Sequence, residues 1–191
     1  MSESDSDSEL LQRYVKGNSE PAFRELIERR LGMVYSVALR NVDLDAGAAE
    51  EVAQEVFLLL ARKARELQAH PSLTAWLFTS TRRVAGHHQR SERRRRIREL
   101  KTQDMSLYFL GDGPSPDWAA IRPLIDQAIA DLEETDQRAV LWRFFEKQGY
   151  AWIGNQLGVS EEAARKRVGR ALDGLHGALV QRQLFFPADG N

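Results

Sequence analysis

Apolar residues in this chain recur at three- and four-residue spacing from Leu10 to Leu179, and no segment shows sustained period-two alternation. That periodicity buries one face of a helix and leaves nothing to pair as a sheet, so the expected fold class is all-α. The same signal divides the chain. A helix burying Leu10, Leu11, Tyr14 and Val15 runs from Glu9 to Lys16, where Gly17-Asn18 ends it. Ser19 and Pro21 open a second, carried by Phe23, Leu26, Ile27, Leu31, Val34 and Ala38 to about Arg40. Asp43 and Asp45 offer a cap for a third from Ala46 to about Leu67. A fourth follows Ser72 as its cap and runs into a block of arginine.

From Lys101 to Pro116 the periodicity stops and Gly, Pro, Ser and Asp gather, which reads as a linker with Leu107 to Leu110 as a docking element. Helical spacing resumes at Asp117 with Ile121, Leu124, Ile125, Ala128, Ile129 and Leu132. Thr135 or Asp136 is the expected cap of the next helix, with Val140, Leu141 and Phe144 inward. The expected architecture is two small helical domains joined by a flexible linker, residues 9–100 and 117–183, flanked by a disordered acidic tail (1–8) and a short C-terminal tail (184–191).

Two stretches carry chemistry. The first is Ser72 to Arg98, in which Leu73, Trp76, Leu77 and Val84 mark one face and Phe78, Arg82, Gly86 and Arg90 the other. Between Arg82 and Arg98 stand Arg82, Arg83, Arg90, Arg93, Arg94, Arg95, Arg96 and Arg98 against the single acid Glu92. Eight cations and one anion leave this segment near +7, although the whole chain is formally −1. Arginines on a helix suit bidentate phosphate contacts, and neighbouring aromatics suit base stacking, so the reading is nucleic acid; a solvated basic face is the alternative.

The second stretch, Gly149 to Leu175, reads as helix, tight turn, helix. Ile153 and Leu157 face inward, Gly158 supplies the turn, Val159 plugs it, and Ser160 caps the second helix. Ala164, Val168, Ala171, Leu172 and Leu175 are its buried side, leaving Arg165, Lys166, Arg167, Gly169 and Arg170 on or flanking the exposed one. That is the pattern of a helix-turn-helix whose second helix enters a major groove, with an ordinary αα-hairpin as the alternative. Glu161 and Glu162 favour the helix dipole but oppose phosphate.

On the Ala46–Leu67 helix, Val52, Val56, Phe57, Leu59, Leu60, Lys63 and Ala64 mark the core face, and Glu51, Gln54, Glu55, Leu58 and Arg62 mark another. The second stripe, a leucine in a polar frame, is either a wet surface or a docking face. Spacing alone does not separate these.

Taken together, AEEVAQEVFLLL (Ala49 to Leu60), LTAWLFTSTRRVAGHHQR (Leu73 to Arg90) and LEETDQRAVLWRFFEKQGYAWIGNQLGVSEEAARKRVGRAL (Leu132 to Leu172) resemble a bacterial RNA polymerase sigma factor of the extracytoplasmic-function (ECF) group. The resemblance implies that the Glu51–Arg62 stripe binds the clamp helices of the polymerase β′ subunit. It implies that the Ser72–Arg98 helix, with Trp76, Phe78, Arg82, Arg83, Arg90, Arg93 and Arg94 as DNA contacts, melts and reads the minus-ten element together with the preceding loop. The helix-turn-helix would read the minus-thirty-five element through Arg165, Lys166, Arg167, Gly169 and Arg170. Core RNA polymerase (β′ clamp helices, β flap), promoter DNA and a possible anti-sigma factor are the implied partners. Where the family has two acids before the isoleucine of the helix-turn-helix and an alanine after it, this chain has Ala151, Trp152 and Gly154. Gly86-His87-His88 also departs from the usual arginine helix.

Composition bounds the rest. With 42% apolar and 29% charged residues the chain is globular in type, and the lack of cysteine excludes disulfides, thiolate chemistry and Cys-ligated zinc. No apolar run approaches the ~18–20 residues of a membrane span, and MSESDSDSE lacks the features of a signal peptide. Cytoplasmic location, no membrane insertion, no cofactor, no metal and no catalysis are the expectations. Two other function classes remain in view, a stand-alone helix-turn-helix regulator that binds an operator without polymerase, and a metal-dependent nuclease built on His87, His88 and Glu92. At the end of the chain Leu184, Phe185 and Phe186 either fold back onto the domain, are covered by a partner, or fray.

Overall fold

The computed structural model describes residues 6–100 and 118–181, with side chains for residues 6–95 and 124–179. The linker and the Leu184–Phe186 trio lie outside the described residues. Among those described there are eight helices and no strand, as the periodicity predicts: α1 (Asp7–Gly17), α2 (Glu20–Asn41), α3 (Ala46–Leu67), α4 (Leu73–Leu100), α5 (Trp118–Ala130), α6 (Glu134–Phe144), α7 (Tyr150–Leu157) and α8 (Glu161–Gln181).

Local caps set most of these boundaries. Ser19 Oγ accepts from the Ala22 amide at 3.4 Å and Pro21 sits in the first turn of α2. Asp45 Oδ1 accepts from the Ala48 amide at 3.0 Å, and Ser72 Oγ from the Ala75 amide at 3.2 Å. Asn18 closes α1 in the left-handed conformation, φ 48°. The acidic tail is shorter than its composition suggests. Ser6 and Glu9 form a capping box at the head of α1, and Asp7 pairs with Arg29 and Arg30. The Ser6 backbone amide, and then its hydroxyl, hold the Glu9 carboxyl below its usual range.

Helices α1–α4 enclose one core, with Leu26, Val34, Val52, Val56, Leu60 and Leu77 almost fully buried. Tyr14 stacks on Phe23 at its edge, centroids 4.4 Å apart. Replacing Leu60 by alanine is expected to lower the stability of this domain by about 2–5 kcal/mol, read as a lower denaturant midpoint. A second core in α6–α8 is built from Ala139, Trp142, Ile153, Ala164 and Val168. A third cluster joins Val37, Ala75 and Phe78 to Ala128, Ile129, Leu141 and Leu175, so α2 and α4 pack directly on the C-terminal helices.

Four expectations from periodicity are corrected. Helix α6 begins at Glu134 with Glu133 at the N-cap position and no side-chain cap, so Thr135 and Asp136 fall inside its first turn, where Asp136 lies 2.7 Å from Arg167 on α8. Phe144 is 52% exposed; Trp142 takes the core place, and Phe145 turns toward Phe78. Leu31 and Leu172 are also exposed. Each lies on the margin of an apolar stripe, where the packing partner rather than the spacing decides the side.

Candidate nucleic-acid and partner interfaces

The stripe on α3 is formed as the sequence suggests. Glu51, Gln54, Glu55, Leu58 and Arg62 are all exposed, while Val52, Ala53, Val56, Phe57, Leu60 and Ala64 on the opposite side are buried. Leu58 stands 52% exposed in the middle of this polar frame. Glu51 Oε2 lies 3.1 Å from His88 Nε2, tying the head of the stripe to α4.

Helix α4 extends 28 residues, about 42 Å at the usual rise. Its first half is committed to packing, and most of its described side chains from His87 to Arg95 face solvent. Leu73, Leu77 and Val84 enter the N-terminal core and Trp76 is partly buried against it. Arg83, Arg90, Arg93, Arg94 and Arg95 are exposed, with Arg95 paired to Glu92 at 3.0 Å. Arg90 folds back so that its guanidinium lies beside Gly86, where an added Cβ would sit 3.4 Å from it.

Phe78 and Arg82 are placed otherwise than the DNA-contact set anticipates. Ala75, Phe78 and Arg82 follow one another at i, i+3 and i+7, and this line meets the C-terminal helices. Phe78 is fully buried, with the Phe145 ring edge-on at 6.1 Å. Arg82 donates to the Gln127 side-chain oxygen and lies over Phe78, its guanidinium carbon 6.0 Å from the ring centroid. Burial pulls the Arg82 pKa below its ordinary value, against the opposing pull of Asp126 and Asp131.

The loop before α4 is also ordered by its own side chains. His70 Nδ1 accepts from the Ser72 amide at 3.2 Å, which places the ring proton on Nε2. The Thr74 hydroxyl donates to Glu146 on the far side of the domain boundary.

In the helix-turn-helix, Gly158 takes the left-handed conformation, φ 67°, that the tight turn requires. Gly154 lets the turn close, since a Cβ there would lie 2.7 Å from the Val159 carbonyl oxygen. The glycine and the tryptophan that depart from the family pattern thus have local reasons: Trp152 packs edge-on against Trp142, centroids 5.4 Å apart. Ser160 Oγ accepts from the Ala163 amide and caps α8. Arg165, Lys166, Gly169 and Arg170 are exposed in a row on α8. Arg165 pairs with Glu161 and Glu162, and Lys166 with Glu162, so a phosphate or base edge must displace these carboxylates. Arg167 is turned to structure instead, pairing with Asp136 at 2.7 Å and Glu133 at 3.6 Å.

Reading the sequence missed the cross-domain polar set of Arg40, Asn41, Asp126, Gln127 and Glu146, since nothing local marks a pair that is 86 residues apart. Among the described residues no group of three His, Cys, Asp or Glu side chains is disposed to hold a metal ion, and His88 pairs with Glu51.

A chain that joins an arginine-faced helix, an exposed leucine in a polar stripe and a helix-turn-helix has the pattern of a DNA-binding transcription protein. Residues 26–95 match Sigma-70 region 2 and residues 128–176 match Sigma-70 region 4. The chain belongs to the sigma-70 family, in its ECF group, and is an RNA polymerase sigma factor.

It is 29% identical over 175 residues to the probable RNA polymerase sigma factor RfaY of Xanthomonas campestris, a match covering 88% of this chain and 43% of that one. It is 26% identical over 182 residues to the ECF RNA polymerase sigma factor SigK of Mycobacterium tuberculosis, covering 91% and 94%. The chain thus spans less than half the length of RfaY and nearly all of SigK. Among solved structures, the sigma factor RpoE of Bartonella quintana, in complex with the anti-sigma factor NepR, matches with 19% identity and a TM-score of 0.36, covering 83% and 96%. As a sigma factor the chain binds core RNA polymerase and promoter DNA and is not an enzyme; phosphodiester synthesis belongs to the polymerase. Among the described residues no helix is long and apolar enough to cross a membrane.

Proposed function

We propose a division of the initiation task among three surfaces of this sigma factor, acting in the cytoplasm. The α3 stripe Glu51, Gln54, Glu55, Leu58 and Arg62 docks on the β′ clamp helices of core polymerase. The exposed arginines of α4 hold phosphates around the minus-ten element, with Trp76 and the loop at His70 beside the unstacked bases. The α8 cations Arg165, Lys166 and Arg170 read the minus-thirty-five element as duplex, on a domain held by the β flap.

The observation that supports this reading most is the contrast between the two basic surfaces. Those on α8 cluster within its first three turns, exposed directly behind a tight turn, the geometry for base edges in a major groove. Those on α4 are spread along a long helix that is packed through its first half, which suits backbone neutralisation. An anti-sigma factor, the partner seen with the Bartonella protein, would act here by covering the α3 stripe. A regulator acting without polymerase is not favoured, because such a protein needs neither the stripe nor the arginine helix.

The test is promoter-selective. Lys166→Ala or Arg170→Ala is expected to reduce run-off transcription at promoters that depend on the upstream element, by about 1–3 kcal/mol of discrimination for a bidentate contact. Promoters that do not depend on it are expected to be unaffected. Equal loss at both kinds of promoter contradicts the assignment.

A further inference from the structure

We propose that the free chain is held closed by a polar latch centred on Asp126, and that in this closed form part of the DNA-facing side of α4 is covered by the chain's own C-terminal domain. Asp126, on α5, is 1% exposed and accepts three hydrogen bonds from α2. Arg40 donates through Nε at 3.0 Å and through its terminal nitrogen at 2.9 Å, and the Asn41 side-chain amide donates at 2.7 Å. A carboxylate enclosed this way is a specific cross-domain contact, because its partners come from one place only and removing them strands a buried charge.

The surrounding contacts have the anatomy of an interface. Its apolar centre sets Val37, Ala75 and Phe78 of the first domain against Ala128, Ile129, Leu141 and Leu175 of the second. Polar pairs rim it: Arg82 with Gln127 on one side, and Thr74 and Arg30 with Glu146 on the other.

The same interface carries a built-in cost. The Arg82 Nε is buried without a hydrogen-bond partner, on a side chain that is only partly exposed. A buried donor left unmade favours whichever state returns it to water or offers it a phosphate. Closing therefore uses Arg82 badly, and opening onto DNA uses it well. That asymmetry is what a reversible latch needs. The occlusion is specific too. Phe78 is sealed in the boundary with Arg82 partly buried beside it, and the loop around His70 faces Glu146 and Trp152 across a shared groove of about 770 Å³.

Closure rests on these contacts alone; its consequence for DNA binding rests on the assignment of α4 made above. The two are separable by experiment. The chain has no cysteine, so Glu66→Cys on α3 and Asp173→Cys on α8, both exposed, accept a fluorescent donor and acceptor without background. In the full chain, a dominant high-transfer population is expected, and Asp126→Ala or Arg40→Ala is expected to move it to low transfer with helix content unchanged. The exchanged pair Arg40→Asp with Asp126→Arg is expected to restore high transfer. A wild-type chain already at low transfer, or an Asp126→Ala chain indistinguishable from wild type, overturns the latch. A labelled single-stranded minus-ten oligonucleotide is expected to bind the Asp126→Ala chain roughly tenfold more tightly than the wild type if the closed form holds about nine-tenths of the free chain. Equal affinity for that oligonucleotide with the transfer change intact overturns the occlusion and leaves the proposed docking of the α3 stripe untouched.

Discussion

Replacing Arg83, Arg90, Arg93 and Arg94 together by alanine is expected to weaken open-complex binding at every promoter and to flatten its dependence on salt. All four side chains are exposed, so their removal disturbs no core, and alanine is at least as good a helix former as arginine. Each phosphate contact releases counterions, and losing one changes the log–log salt slope by about 0.7 on a single strand and 0.9 on a duplex. Removing all four arginines therefore changes the slope by about 3. Promoter preference is expected to stay as it was, because phosphate contacts carry no base information. The measurement is open-complex affinity over a salt series at two promoters of different sequence. An unchanged slope, or a changed preference with an unchanged slope, contradicts a phosphate-holding role for α4.

Gln54→Ala combined with Glu55→Lys is expected to weaken binding to core polymerase by about tenfold or more, since charge reversal adds repulsion to the contact removed. Both side chains are exposed on a helix whose buried face they do not touch, so helix content and thermal stability are expected to be those of the wild type. Competition for core against the unmodified chain measures the effect. Unchanged affinity would return the stripe, Leu58 included, to the status of wet surface.

Much of the fold was legible because it is set by local signals. Helix α3 begins and ends at Ala46 and Leu67 as the spacing predicts, since Asp45 caps it and its apolar face is continuous. Ser72 likewise caps α4, and Gly158 and Ser160 shape the helix-turn-helix as read. The capping box of Ser6 and Glu9 is an equally local signal, hidden within a run of serine and acid that composition alone marks as disordered.

What was not legible depends on distant partners. The line Ala75, Phe78 and Arg82 has the residue types of a base-stacking face, and only contact with Leu141, Phe145 and Gln127 makes it a packing face here. Arg167 looks like its exposed neighbours Lys166 and Arg170 until Asp136 is brought beside it. Phe144 is the core residue that the period predicts, and the geometry of α7, which brings Trp152 to Trp142, makes Trp142 the buried one instead. The α3 stripe shows the converse. Its exposure is now plain, yet exposure alone names no partner, and it is the match to Sigma-70 region 2 that makes polymerase the candidate.

The central claim, that this chain directs core polymerase to promoters, is tested most directly by reconstituted run-off transcription. Core polymerase from the same cell is combined with the chain and a library of genomic promoter fragments, and transcripts are mapped at their 5′ ends. The account predicts initiation at a defined set of fragments that core alone does not use, lost when the Gln54→Ala, Glu55→Lys chain is substituted. Tight operator-like binding by the chain alone, with no new transcript on adding core, would contradict it.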